Sequence, residues 1–455
     1  MGKMPVSPAR AAAFEILLKV EREHSYANEL LHSPRFSNLS RADHGLATEL
    51  VMGVLRWQSW LDWHLARVSS QKVERLDTEV LLALRLAAYQ LMFLSRVPAR
   101  AAIFESVELV KTARKRSAAT FVNAVLRKLA NKAATDADSA KIGHNAFLEI
   151  DQSADVHTLA HAAAHPEWLV ARWIARYGVE TARQMCAHDQ HVPVTSIRVY
   201  DENALSELAG VELRPGHLLS TARTLLSGHI TESGAYRDGR VAVQDEGSQL
   251  IGCLVGRGER ILDCCAAPGS KTAVLASRNP GATVIAADIH PHRARILREL
   301  TRSPNVHVVA ADARQLPFTL SFDRILADVP CSGTGTLGRN PEIKWRLQIN
   351  DLIDLQARQI AILRSALAQL PPGGRLVYST CSMESEENET VVEAVLDDSS
   401  DFKIIASRQE LENLQRSGEL TIREIEDLFA GPYLRTIPGI HPCDGFFAAI
   451  LERKT

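Results

Sequence analysis

Two cysteines set the first chemical expectation. Cys331 lies in Asp328-Val-Pro-Cys-Ser-Gly-Thr-Gly335, just past an apolar run that reads as a strand, with Pro330 and two glycines shaping the turn. Cys381 lies in Val377-Tyr-Ser-Thr-Cys-Ser-Met383, again where a strand-like run ends. A single buried cysteine is most often a packing residue. Two thiols delivered to the same edge of a sheet are instead a candidate nucleophile with a thiol neighbour. The chain has seven cysteines, at 186, 253, 264, 265, 331, 381 and 443. The number is odd and no Cys-x-x-Cys pair occurs, so neither a disulfide framework nor a zinc ribbon is expected, and no metal site is assigned.

A second constellation surrounds them. Asp263-Cys-Cys-Ala-Ala-Pro-Gly-Ser-Lys-Thr272 follows one strand and opens a helix, and its small residues let the backbone turn tightly around a ligand at a helix N-terminus. The loop is neither a GxGxxG fingerprint nor a phosphate-binding GK[ST] loop, which removes NAD and ATP from consideration. Asp288 closes the next strand, 19 residues after Gly269, where an acid can accept hydrogen bonds from a ribose. Asp312 and Asp328 end two further apolar runs. Three acids at the carboxyl edge of an open α/β sheet lie where such sheets bind ligands.

These residues need elements that carry them to one edge. From residue 241 strand-like runs at 260–264, 282–287, 305–310, 323–328 and 374–379 alternate with helical stretches, which predicts a largely parallel sheet covered on both faces. Residues 146–240 are mixed. HPEWLVARWI opens a helix with Pro166 at its first turn, and 195–200 and 211–214 read as short strands, so a small α+β insert is expected. Residues 1–145 are helical: Phe14, Leu17 and Leu18 recur at helical spacing, and the apolar run 80–94 should sit at the centre of an all-α domain, ended by Pro98. The stretch 131–138 reads as a linker. The expected division is therefore 1–145, 146–240 and 241–455, a size that suits two or three cores.

Charge is distributed unevenly. Residues 1–145 hold 21 Lys and Arg against 14 Asp and Glu, whereas the remainder holds 31 against 40. A basic N-terminal third suggests a polyanionic partner. Its sharpest patch holds Lys111, Arg114, Lys115, Arg116, Arg127, Lys128 and Lys132 with no acid between 109 and 135. No apolar run is long enough for a membrane span or a secretion signal, so a cytoplasmic protein with no membrane partner is expected.

At this point the motifs carry a resemblance. VQDEGSQ (243–249), DCCAAPGSK (263–271), AADI (286–289), ADAR (311–314), DVPCSGTG (328–335), VYSTCS (377–382) and HPCDGFFAAIL (441–451) together resemble the RNA cytosine-C5 methyltransferases. They are most similar to the bacterial small-subunit ribosomal RNA type B enzymes, the RsmB, Sun or Fmu family. ARAAAFEILLKV, AYQLMFLSRVPARAAIFESVELVK and FVNAVLRKLA are similar to the antitermination factor NusB, and HPEWLVARW with SIRV resembles the RNA-binding insert of these enzymes. The fold implied is a NusB-like helical domain, a small α+β RNA-binding domain and a Rossmann-like S-adenosylmethionine methyltransferase core.

The resemblance also implies roles. Cys381 would add to C6 of a cytosine, breaking the aromaticity that makes C5 unreactive, and Cys331 would serve release. Asp328 would contact the base and neighbour the cofactor. Cys265, Ala266, Ala267, Pro268, Gly269, Ser270 and Lys271, with Asp288 on the ribose and Asp312 on the adenine, would hold S-adenosyl-L-methionine, leaving S-adenosyl-L-homocysteine. Arg198 in the insert joins the basic side chains as an RNA contact, and a monomer acting on small-subunit ribosomal RNA is expected. Three positions depart from the family pattern: Ser270 where glycine is usual, Val329 where alanine is usual, and Pro442 with Cys443 before the DGFF ending. Other readings stay open: another RNA such as tRNA, a DNA cytosine-C5 enzyme, and a non-catalytic RNA-binding factor. The paired cysteine of STCS and the NusB-like domain favour RNA over DNA.

Overall fold

The computed structural model describes residues 6–135 and 155–455. They fall into two compact units, Met1–Pro193 with Leu337–Arg346, and Val194–Thr336 with Leu347–Thr455. The boundary expected at residue 145, and the end of the linker read at 131–138, lie outside the described residues. The beginning of that linker is helical instead, because the helix Ala119–Thr135 runs on through Lys132 and Ala133, both good helix formers.

The first unit is all-α. Thr78–Phe93 is buried on nearly every side, from Val80 through Gln90, as its continuous apolar run requires. Pro98 does not end this helix, which stops at Phe93; it caps the next one, Ala99–Thr112, where its fixed φ and missing N–H cost nothing. Helices Glu167–Tyr177 and Val179–Gln190 belong to the same unit, the former opening after Pro166. The segment 337–346 is fastened within it: Arg56 donates to the Gly338 carbonyl at 3.0 Å, and the buried Lys344 Nζ donates to the Arg56 carbonyl at 3.0 Å.

The second unit holds two sheets. Strands β1 (Ser196–Val199), β2 (Glu212–Pro215), β3 (Ala222–Ser227) and β4 (Val241–Val243) form a small antiparallel sheet in the order β2-β3-β1-β4. The larger sheet contains β5 (Arg260–Asp263), β6 (Thr283–Asp288), β7 (Val306–Ala310), β8 (Arg324–Asp328) and β9 (Arg375–Thr380), all parallel. These five strands are the ones the sequence predicts. An antiparallel extension, β10 (Phe402–Ile405), β11 (Phe429–Ala430), β12 (Tyr433–Thr436) and β13 (Phe446–Arg453), is joined to the parallel set through β13 on β9.

The order β9-β8-β5-β6-β7 decides where a ligand can sit. From β5 the chain builds outward to β6 and β7, then returns to place β8 on the other side of β5. The connections leaving β5 and β8 diverge, opening a crevice at their carboxyl ends. Both chemistry-bearing loops, after Asp263 and after Asp328, leave from this switch point.

Candidate functional site

The loop after β5 is held by its backbone. Cys264 N–H donates to Leu326 O at 3.0 Å and Ala266 N–H to Ala287 O at 2.8 Å, so neighbouring strands fix its course. Gly269 has φ +115°, and a Cβ there would stand 2.6 Å from Leu297 Cδ1, so only glycine fits. Ser270 begins the helix Ser270–Arg278 with an ordinary helical backbone, so a side chain is tolerated where the family favours glycine. No side chain caps that helix start, which leaves its N–H groups to an anionic ligand. Asp263 is buried; its Oδ2 accepts from Thr272 Oγ1 at 2.7 Å, while its Oδ1 has no partner. Burial pushes the Asp263 carboxyl up to about 7, the Thr272 hydrogen bond opposes this, and the nearby charge of Asp328 adds to it.

Asp288 ends β6 as expected, and its Oδ1 accepts from His290 N–H at 2.9 Å. Asp312 differs. It lies beyond β7 rather than at its end, caps the turn Ala313–Gln315, and pairs with Arg314 Nη2 at 2.6 Å, which holds its carboxyl below the usual range.

The loops after β8 and β9 come together. Cys331 Sγ and Cys381 Sγ are 3.3 Å apart, and Cys381 N–H points at Cys331 Sγ at 3.3 Å. Gly335 permits this closeness: a Cβ on it would lie 2.3 Å from Gly445 O and 2.9 Å from Cys381 O, and its N–H donates to Cys381 O at 2.9 Å. The hydrogen bond with Cys381, burial, and the adjacent Cys381 and Glu387 push the Cys331 thiol well above its ordinary range, so Cys331 keeps its proton at neutral pH.

Asp328 is gripped from two sides, Lys271 Nζ donating to its Oδ2 at 2.7 Å and Ser379 Oγ to its Oδ1 at 2.7 Å. Burial disfavours the Lys271 ammonium, but Asp328 outweighs it, aided by Cys381 and Asp263, so Lys271 stays charged. Phe446 lies with its ring centre 5.3 Å from Lys271 Nζ. One cluster thus contains both thiols, the acid and a lysine read from the sequence only as part of the cofactor loop. Sequence reasoning missed Ser379, Ser332, Gln359, Ser382 and Glu387. The serine- and glutamate-rich run STCSMESEEN was the available signal for Ser379, Ser382 and Glu387; Ser332 and Gln359 lie outside it.

The basic side chains of the first unit differ among themselves. Lys111 pairs with Glu108 at 2.7 Å and Lys115 with Asp77 at 2.8 Å. Arg114, Arg116, Arg127 and Lys128 are exposed, the last two opposite the buried Val125, Leu126 and Leu129. Arg198 does not present a surface charge. It is 4% exposed, inside β1, with its guanidinium 3.9 Å from Cys253 Sγ and over the Tyr200 ring. The four-residue strand is buried at every position, so its alternation offers no solvent face. Among the described residues no group of His, Cys, Asp and Glu is placed to hold a metal, and no helix is long and apolar enough to cross a membrane.

A family model described as 16S rRNA methyltransferase RsmB/F matches residues 255–452, and a NusB family model matches residues 7–131. The chain is 34% identical to the probable ribosomal RNA small subunit methyltransferase B of Bacillus subtilis, over 99% of this chain and 100% of that protein. It is 32% identical to the ribosomal RNA small subunit methyltransferase B of Salmonella typhi, over 97% of this chain and 98% of that protein. The solved structure of PH0851 shares the fold with a TM-score of 0.77 at 22% identity, covering 98% of this chain and 99% of its own. A methyltransferase homolog protein from Pyrococcus horikoshii matches with a TM-score of 0.53 at 25% identity, over 65% of this chain and 97% of its own.

Proposed function

Because the chain belongs to the 16S rRNA methyltransferase RsmB/F family, and is thereby an S-adenosylmethionine-dependent RNA methyltransferase, we propose that it methylates carbon 5 of a cytosine in small-subunit ribosomal RNA through a covalent adduct of Cys381. The observation that carries this reading is the 3.3 Å approach of two thiols beside the Lys271–Asp328 pair at the sheet's switch point.

The residues fit the cofactor. The glycine-tight turn at Gly269, the uncapped helix start at Ser270 and the acid ending β6 form a cradle for an amino-acid carboxylate and a ribose. Residues 265–271 with Asp288 would hold it, and Asp312 would reach the adenine only by sharing its carboxylate with Arg314. When bound, S-adenosylmethionine supplies an electrophilic methyl group.

This chain's own groups do the rest. With Cys331 protonated beside it, the Cys381 thiol gives up its proton through Asp328 to the polar edge of the base as its sulfur attacks C6. That S–C6 bond makes C5 nucleophilic. Asp328, oriented by Lys271 and Ser379, bonds the polar edge of the cytosine and stabilises charge as the adduct forms. Once methylated, C5 gives up its proton and the S–C6 bond breaks. Cys331 takes the C5 proton as it hands its own to the departing Cys381 sulfur, so both thiols are restored. A base must leave its stack to reach such a site, so the target lies in a loop or single strand, its phosphates gripped by the basic side chains of the N-terminal domain. The three-part division at 145 and 240 belongs to this proposal, with the insert as a second RNA-binding element.

Incubation with isotope-labelled S-adenosylmethionine and small-subunit ribosomal RNA, followed by nucleoside mass spectrometry, tests the product. Labelled 5-methylcytidine is expected. Label on uridine or on a ring nitrogen contradicts the assignment.

A further inference from the structure

Behind the two thiols lies a buried carboxylate that the roles above do not use. Glu387 is fully buried, in the turn Ser385–Glu387 that joins β9 to the helix Glu389–Leu396. Its Oε1 accepts from Ser332 N–H at 2.8 Å and from Gln359 Nε2 at 3.0 Å. Its Oε2 accepts from the hydroxyls of both Ser332 and Ser382. Ser332 follows Cys331 in the chain, and Ser382 follows Cys381. A single side chain therefore bonds the residue next to each thiol.

The turn itself is anchored. Tyr378 OH donates to Glu387 O at 2.6 Å, and Asn388 Nδ2 donates to Ser382 O at 2.9 Å. Gln359 Nε2 also donates to Pro330 O at 2.9 Å, one residue before Cys331. Four donors converge on Glu387; burial pushes its carboxyl up, the hydrogen bonds from Ser332, Ser382 and Gln359 oppose this, and as a carboxylate it accepts from all four. An apolar residue here would leave four buried donors without a partner, so the position calls for an acceptor that reaches both cysteine loops. Its charge is moreover among the groups that keep the Cys331 proton in place.

We propose that Glu387 is a positioning residue that sets the spacing of the Cys331 and Cys381 thiols by tying both cysteine loops to one carboxylate. The catalytic consequence rests on the cysteine roles proposed above; the thiol spacing and the Cys331 environment do not.

Glu387→Gln keeps the volume and removes both the charge and one acceptor. In the full-length protein we expect its methylation kcat to fall about tenfold or more while S-adenosylmethionine affinity by calorimetry stays within about threefold. A second readout needs no RNA. Alkylation of Cys331 by iodoacetamide, followed by peptide mass spectrometry across pH, should start at lower pH in the variant, because the neighbouring negative charge is gone while burial and Cys381 alone still hold the proton. Both results together support the proposal. A kcat within about threefold of the parent, or an unshifted Cys331 profile, overturns it. Should Glu387→Gln fail to fold, the double variant Ser332→Ala with Ser382→Ala removes two of the four donors and carries the same kcat and affinity readouts with the same limits. If instead Cys381→Ala still methylates RNA, the cysteine roles fail while the Cys331 alkylation shift stands.

Discussion

The switch-point edge and the basic face of the N-terminal unit handle polar groups in opposite ways. At the edge, the part-buried Cys331 and Cys381 approach to 3.3 Å and the part-buried Asp328 is held by Lys271 and Ser379 at 2.7 Å. On the basic face, Arg114, Arg116, Arg127 and Lys128 stand in solvent. A reaction centre needs few groups held in one geometry, whereas a phosphate grip needs charge density and tolerates motion. Substitutions at the edge should therefore act on rate, and those on the face on affinity and its salt dependence.

The largest effect is expected within the edge. Lys271→Met strips Asp328 of its cation in a part-buried site and should lower kcat by roughly 10²–10³-fold in a steady-state methylation assay. A loss confined to S-adenosylmethionine affinity would assign Lys271 to the cofactor alone.

That outcome bears on how much of the site the sequence made legible. Cys331, Cys381, Asp288 and Asp328 were readable because each lies beside a strand whose apolar run ends at a defined register, and register fixes which edge a side chain reaches. The five parallel strands were readable from the same runs. Lys271's bond to Asp328 and the Glu387 cluster were not, since they join residues 57 and 55 positions apart and depend on the order in which strands pair. The antiparallel strands β10 to β12 escaped because their runs are only two to four residues long, and the eight-residue β13 because a run buried at six successive positions has no alternation to tell it from a helix. Arg198 misled for a related reason: a basic residue in a strand looks solvated until the partner layer covering it is known.

A smaller effect separates the edge from the remainder of the fold by pH. Asp263, pushed up to about 7 by burial, binds its proton more tightly folded than unfolded. Between about pH 4 and 7 the unfolded chain has released this proton and the folded chain has not, so stability falls as pH rises through that window and stays reduced above it. Asp263→Asn should remove this slope, worth at most a few kcal/mol, in denaturant titrations of the two proteins across pH. Parallel curves would show that Asp263 ionises normally.

The smallest effect belongs to the basic face. Replacing Arg114, Arg127 and Lys128 together with Gln should weaken RNA binding about tenfold and reduce the slope of log affinity against log salt by about 2, with kcat at saturating RNA unchanged. An unchanged slope would move the RNA grip elsewhere on the molecule.

The division of labour between the thiols is the central claim, and one measurement addresses it: denaturing electrophoresis of the enzyme with S-adenosylmethionine and labelled small-subunit ribosomal RNA, comparing Cys331→Ala with Cys381→Ala. The account predicts a persistent protein–RNA adduct in Cys331→Ala and neither adduct nor methylation in Cys381→Ala. An adduct or methylated RNA from Cys381→Ala, or no adduct from Cys331→Ala, would contradict it.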